Sequence, residues 1–261
     1  MTRTTTITPS RPTAGRSHGT RRTGLAALGA CAALVLGACS DDDAAAPAVC
    51  EPYLGVTAQF SGEPDPATIT PLLDAVDENA PEDLAEALGV MTGAARQVVE
   101  TGDFASFESP EFGAAQSTVD PWMFENCEFD QKAEVTASEY EFDGMPSEFD
   151  AGTAAILLSN DGEEAHEIAI MRKADGVTQS WEEILALSEE EAQALVVQVG
   201  GTFAANKDAT SLAVVDLVPG DYLATCFVPT GTEVASDGTV TEGTGPPHFA
   251  QGMTSEFTVG A

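Results

Sequence analysis

Basic residues and histidine are scarce in this 261-residue chain. Lys and Arg together number 10 against 43 Asp and Glu, a formal net charge of −33. Five of the ten (Arg3, Arg11, Arg16, Arg21 and Arg22) fall within residues 1–38, which hold no acid. From residue 39 onward, 43 acidic residues face only Arg96, Lys132, Arg172, Lys173 and Lys207, a net of −38. Such a surface excludes nucleic acid as a partner, because a phosphate backbone needs cationic neutralisation. It equally excludes electrostatic docking on an anionic membrane. The plain reading of the charge is solubility; a basic protein partner is the sharper one. Of three histidines, His18 precedes the acidic part, which leaves His166 and His248. Sites that need many imidazoles are therefore excluded, and a hydrolase triad would have to take its base from these two. No P-loop, dinucleotide fingerprint or nucleophile elbow is found. The acidic runs Asp41–Asp43 and Glu189–Glu191 lack metal-loop spacing and read as solvated faces.

The chain does have enough apolar residues for a core: 43% are hydrophobic, which argues against wholesale disorder. Its length is that of one or two domains. The basic, Ser/Thr-rich start ends at Arg21-Arg22, and an apolar run from Leu25 to Ala38 follows. The run has the layout of an export signal rather than a membrane span. It closes on Leu36-Gly37-Ala38-Cys39, small residues before a Cys, the pattern of a bacterial lipobox. Leu28-Gly29-Ala30-Cys31 spells the same letters but would leave a shorter apolar run. Residues 1–38 are therefore expected to be a lipoprotein signal peptide, with Cys39 lipidated. Thr20-Arg21-Arg22 is a partial twin-arginine match. Residues 39–49 read as a tether. The expected location is extracytoplasmic, on the outer face of a bacterial cell membrane, held there by lipid.

Beyond Cys39 the chain keeps Cys50, Cys127 and Cys226, an odd number where thiols tend to pair. Cys50 and Cys127 bracket a stretch of helical character, so these two are the expected disulfide and Cys226 the spare thiol. Pairing of Cys226 with either of the others is the alternative.

Residues 50–130 read as a small helical domain. Pro71–Asn79 carries Leu72, Leu73 and Val76; Pro81–Glu100, with Asn79 as its cap, repeats Leu84, Leu88, Met91, Ala95 and Val98 at helical spacing. Ser109-Pro110-Glu111 opens another helix. Its acids are spread over solvated faces and it holds no His, so no chemistry is expected there. Residues 131–261 change to short strands between turn signals: 133–142, 153–158, 166–171, 211–217, 222–228 and 253–259. An amphipathic helix over Trp181–Val199, ended by Gly200-Gly201, interrupts them. The fold class is α+β: an N-terminal helical bundle and a C-terminal Greek-key β-sandwich with a helical insertion.

The spare thiol and both imidazoles lie in the strand-rich half. His166 follows Asn160 by six residues and opens a strand. Cys226 ends Gly220-Asp221-Tyr222-Leu223-Ala224-Thr225-Cys226. His248 stands in Pro247-His248-Phe249-Ala250-Gln251-Gly252-Met253. These pieces, in this order, resemble the plastocyanin-like cupredoxins over roughly residues 135–261. The resemblance implies one copper ion per chain on His166, Cys226, His248 and an axial Met253, the ligand set of a blue-copper site. It implies Asn160 behind the ligands, tying the His166 loop to the Cys226 strand, and Phe249, Pro246 and Pro247 as an apolar rim.

The implied function is one-electron transfer with a redox partner protein and no small-molecule substrate, not enzymatic catalysis. A metal-free binding module and copper capture or delivery are the alternative readings. This chain departs from the family pattern in two respects, a helical insertion at about 178–200 and a long segment before His248. It places 21 residues between Cys226 and His248, where the family has only a few. Thr230–Pro246 reads as a hairpin with a Ser-Asp-Gly turn; the ligand set requires its two ends to close.

Overall fold

The computed structural model describes residues 47–60, 64–235 and 238–260. The expected signal peptide, Cys39 and most of the expected tether lie outside the described residues, as do Ser236 and Asp237 of the hairpin turn.

Helices α1 (Cys50–Gln59), α2 (Pro66–Asn79), α3 (Ala85–Thr101) and α4 (Pro110–Asn126) come first. Asp65 caps α2, accepting from Ala67 N and from Thr68 Oγ1, so the helix begins at Pro66 and not at Pro71. Asn79 is the last residue of α2; its Nδ2 donates to the Ala75 carbonyl and does not cap α3. Ser109 caps α4 as expected, accepting from Phe112 N at 3.2 Å.

Strands β1 (Gln131–Ser138), β2 (Glu141–Asp143), β3 (Glu148–Phe149), β4 (Gly152–Asn160) and β5 (His166–Lys173) follow. Two one-turn helices, α5 (Trp181–Leu185) and α6 (Glu189–Gln193), lead into β6 (Val196–Ala204), β7 (Thr210–Leu217) and β8 (Gly220–Thr225). The short pair β9 (Glu233–Val234) and β10 (Val240–Thr241) precedes β11 (Thr254–Val259). One sheet runs β2-β1-β4-β7 and the other β3-β11-β8-β5-β6. Their facing sides bury Val135, Ile156, Leu158 and Val215 against Ile168, Ile170, Tyr222 and Phe257. This is the expected Greek-key sandwich.

The helices cover the outer face of the first sheet. Ala155 and Leu212 join Tyr53, Leu88, Val119 and Met123 in one apolar cluster, with Leu157 and Val214 packed against it. This explains why residues 154–158 read Ala-Ala-Ile-Leu-Leu rather than alternating: both faces of β4 are covered. The Cys50–Cys127 disulfide is present and ties α1 to the end of α4 across 77 residues of sequence. Closing a loop of that length restricts the unfolded chain. Replacing both cysteines with Ala is expected to lower unfolding free energy by roughly 2–4 kcal/mol. Urea unfolding of the wild type and the double variant checks this; equal stabilities would contradict it.

Two sequence expectations are corrected here. Residues 181–199 do not form one helix. Ser180 with Glu183, and Ser188 with Glu191, each make a capping box, so the chain starts two separate helical turns. The β-branched run that follows, from Val196, pairs with β5 as β6. Gly200 and Gly201 therefore lie inside a strand. A side chain at Gly201 would strike the Ile168 carbonyl of β5, so the strands can approach only because it is glycine. The insertion packs Trp181 and Ile184 on Met171 and Leu223, away from the residues singled out for metal. Nor are the acids of the helical part all solvated. Asp120 is 1% exposed; it accepts from Tyr53 Oη at 2.6 Å and from Leu212 N at 2.8 Å.

Candidate metal centre

The long segment after Cys226 closes on itself. Pro229 and Pro247 form an antiparallel bridge, Thr230 N donates to Pro246 O at 2.9 Å, and Gly245 N donates to Thr230 O at 3.1 Å. β9 and β10 pair beyond them. The hairpin thus removes itself from the path, and residues 226–229 meet residues 246–249 as neighbours. His248 N donates to Val228 O and Phe249 N to Cys226 O, both at 2.9 Å.

The Gly220–Cys226 stretch is aimed by Tyr222. Its fully buried ring stacks on Phe257, and its hydroxyl donates to Val218 O at 2.8 Å and accepts from Val218 N at 3.0 Å. That closes the Pro219-Gly220-Asp221 turn and sends β8 up between β11 and β5. β5 presents His166 at its first residue, next to the end of β8.

His166, Cys226 and His248 are all fully buried, and their ligand atoms lie within 4.8 Å of one another. Cys226 Sγ is 3.4 Å from His248 Nδ1. The two imidazole rings are 5.0 Å apart. Met253 is also fully buried, and its backbone is bonded to both neighbours: Cys226 N donates to Met253 O at 3.3 Å and Met253 N to His248 O at 3.2 Å. The backbone N–H groups of Glu167 and Val228 point at the Cys226 sulfur.

Burial pushes the Cys226 thiol up to about 11, against the pull of those two N–H groups. Burial also lowers His166, helped by the nearby His248 and opposed by Glu139. Without metal the site therefore holds a neutral thiol and a neutral His166 imidazole. Among the described residues His166 Nδ1 has no hydrogen-bond partner, and Nε2 has only the Glu139 carboxylate, 3.5 Å away. Buried polar atoms are nearly always paired, so an orphan ring nitrogen beside a thiol needs an explanation. A soft cation bound by imidazole and thiolate supplies one, and this donor set fits copper.

Asn160 stands behind the cluster but not in the expected way. Its Nδ2 donates to Glu164 O at 2.8 Å and to Ala204 O at 3.1 Å, while its Oδ1 accepts from Gly162 N at 2.8 Å. It therefore ties the loop before His166 to β6 and not to the Cys226 strand. The Cys226 strand is held instead by Glu167, whose Oε1 accepts from Phe227 N at 2.9 Å.

Three further residues at the site have no counterpart in the sequence expectations. Glu164 Oε2 is 3.1 Å from His248 Nε2, Glu139 Oε1 is 3.5 Å from His166 Nε2, and the Tyr140 ring packs 4.8 Å from that of His248. At the rim, Phe249 packs edge-on to Phe227 at 5.4 Å, and Phe227 is 40% exposed immediately after Cys226.

No protein-family model matches the chain, and no curated protein matches it by sequence. Among solved structures it is similar to cupredoxins. Auracyanin from Roseiflexus castenholzii matches at 17% identity and a TM-score of 0.33, over 50% of this chain and 97% of that one. Auracyanin A of Chloroflexus aurantiacus, titled a "blue" copper protein, matches at 16% and 0.32, over 49% and 98%. Rusticyanin from Thiobacillus ferrooxidans matches at 15% and 0.30, over 55% and 93%.

Proposed function

We propose that this protein is an extracytoplasmic, lipid-anchored copper protein that carries single electrons. The observation that carries the reading is the buried cluster of His166, Cys226 and His248, with His166 Nδ1 unpaired. On this reading the three side chains would hold one copper ion, with the buried Met253 as a further, weaker ligand. Copper would supply a one-electron couple whose two oxidation states both suit a thiolate–imidazole site. The protein's own part is to hold those ligands rigidly and dry. β5 and β8 place His166 and Cys226, the Pro229–Pro247 bridge brings in His248, and the Glu167 and Val228 N–H groups steady the sulfur. Phe227, bonded directly to Cys226 and exposed, offers the electron a way out to a partner protein beside Phe249 and Pro246. On this reading the protein is a carrier and not an enzyme.

Titration of the purified protein with Cu(II) tests the site. An intense visible band that saturates at one copper per chain is expected. A colourless protein without stoichiometric uptake would overturn the reading.

The anchor rests on Leu36-Gly37-Ala38-Cys39. The Cys50–Cys127 disulfide agrees with an oxidising compartment. Among the described residues no helix is long and apolar enough to cross a membrane. Membrane fractionation of Cys39→Ala checks the anchor: release from the membrane is expected, and unchanged retention would contradict it.

A further inference from the structure

Glu164 precedes His166 by two residues in the turn after β4, a place where an acid would ordinarily face water. Instead its Oε2 meets His248 Nε2 at 3.1 Å and accepts from Gly231 N, in the hairpin, at 2.5 Å. Its Oε1 accepts from Tyr140 Oη at 3.4 Å. Its backbone N–H donates to Glu139 Oε1 at 2.8 Å, as does that of Glu163 at 2.6 Å, so the turn carrying it is pinned. The neighbouring Ala165 N donates to Thr232 O, also in the hairpin. His248, sandwiched by these contacts and the Tyr140 ring, is wholly buried.

Resting on the copper reading above, we infer that Glu164 is a positioning residue for the metal centre: its carboxylate orients His248, clasps the hairpin over that ring, and favours Cu(II) over Cu(I). An ionised carboxylate can only accept hydrogen bonds. His248 Nε2 must therefore carry the proton and donate it to Glu164, which leaves the lone pair of a neutral ring on Nδ1. Nδ1 is the nitrogen that lies 3.4 Å from Cys226 Sγ. The ring is thus held in the tautomer whose Nδ1, on the sulfur side, would be free to bind a metal. The carboxylate also makes the imidazole a stronger donor and sets a negative charge behind it. A negative charge near the metal favours the more highly charged Cu(II).

The test uses two variants and two readouts. Glu164→Gln keeps the shape and an acceptor oxygen but removes the charge; Glu164→Ala removes the clasp as well. In the copper-loaded protein, Glu164→Gln is expected to keep one copper per chain. Its preference for Cu(II) over Cu(I) should fall about tenfold, which raises the reduction potential by about 59 mV. Glu164→Ala is expected to lose copper to a chelator roughly 10–100-fold faster than wild type. In the metal-free protein, nitrogen-15 NMR of His248 is expected to show the proton on Nε2 in wild type and in Glu164→Gln. Glu164→Ala should lose that preference.

A Glu164→Gln protein that binds copper at the wild-type potential would overturn the inference while leaving the copper reading intact. So would a wild-type His248 protonated mainly on Nδ1, a result obtained without any metal. A wild type that takes up no copper would overturn the copper reading and, with it, the metal-directed part of this role.

Discussion

Replacing Cys226 with Ser is expected to abolish the intense visible band and stoichiometric copper binding while leaving the fold in place. A hydroxyl is a hard, essentially non-ionising donor at neutral pH, whereas copper in a site of this kind is held by a soft thiolate. The fold should tolerate the change because the surroundings can satisfy the new group. The N–H groups of Glu167 and Val228 would meet an oxygen in place of the sulfur, and His248 Nδ1 lies close enough to pair with it. The cost to the metal-free protein is expected to be about 1 kcal/mol, the scale of a conservative buried substitution. The contrast should appear on adding metal. A ligand present at a thousand times its Kd stabilises the folded state by about 4 kcal/mol. For a chain of this size that corresponds to a rise of roughly 10 °C in Tm. Wild type should show this rise with copper and Cys226→Ser should not. A copper-dependent rise of the same size in both proteins would show that the cation binds elsewhere, for instance on the acidic surface.

The second large effect is a fall in stability with rising pH, caused by Asp120. Burial raises its pKa from 3.8 to about 7, and the bonds from Tyr53, Leu212 and Gln116 offset only part of that. In the unfolded chain the same carboxyl titrates near 4. Between these values the folded state binds the proton and the unfolded state does not. Stability contributed by the protonated form is therefore complete below about pH 4 and is lost as pH rises toward 7. The loss attributable to this one group is up to about 4 kcal/mol, from about three pH units at 1.36 kcal/mol each. Asp120→Asn removes the titration. The Asn carbonyl oxygen can still accept from Tyr53, although the bond from Leu212 N is weakened or lost. Urea unfolding of both proteins at pH 4.5 and 7.5 isolates the term, because the other carboxylates are common to both. Wild type should lose more stability than the variant between the two pH values. An identical loss in both would mean that Asp120 does not titrate in this range.

The residues of the candidate metal centre are largely legible in the sequence because their constraints are local. Asn160 and His166 flank one short turn between β4 and β5, and Gly220 to Cys226 follows one strand, so spacing along the chain fixes position in space. The helices are legible for the same reason: Leu84, Leu88, Met91, Ala95 and Val98 mark one face whatever packs against it. Scarcity helped as well. With only two histidines and one spare cysteine beyond residue 39 and the disulfide pair, few ligand sets could be composed.

What the chain alone could not show depends on groups far apart in sequence. The 21 residues after Cys226 permit closure but do not compel it; the Pro229–Pro247 bridge and the bonds of Thr230 decide it. Residues 181–199 carry helical periodicity, yet β5 was available as a partner for their β-branched end, and strand pairing outweighed a weak local preference. Asp120 and Glu164 look in sequence like ordinary solvated acids. Tertiary packing buries one against Tyr53 and Leu212 and sets the other between His248 and Gly231. A carboxylate changes its chemistry when water is removed and particular donors are supplied, and both changes come from residues dozens of positions away. By itself, then, the sequence determined most of the elements and the residue types of the candidate site. Only the tertiary structure decided that the ligands converge, which acids lie beside them, and that the helices cover the outer face of the sheet.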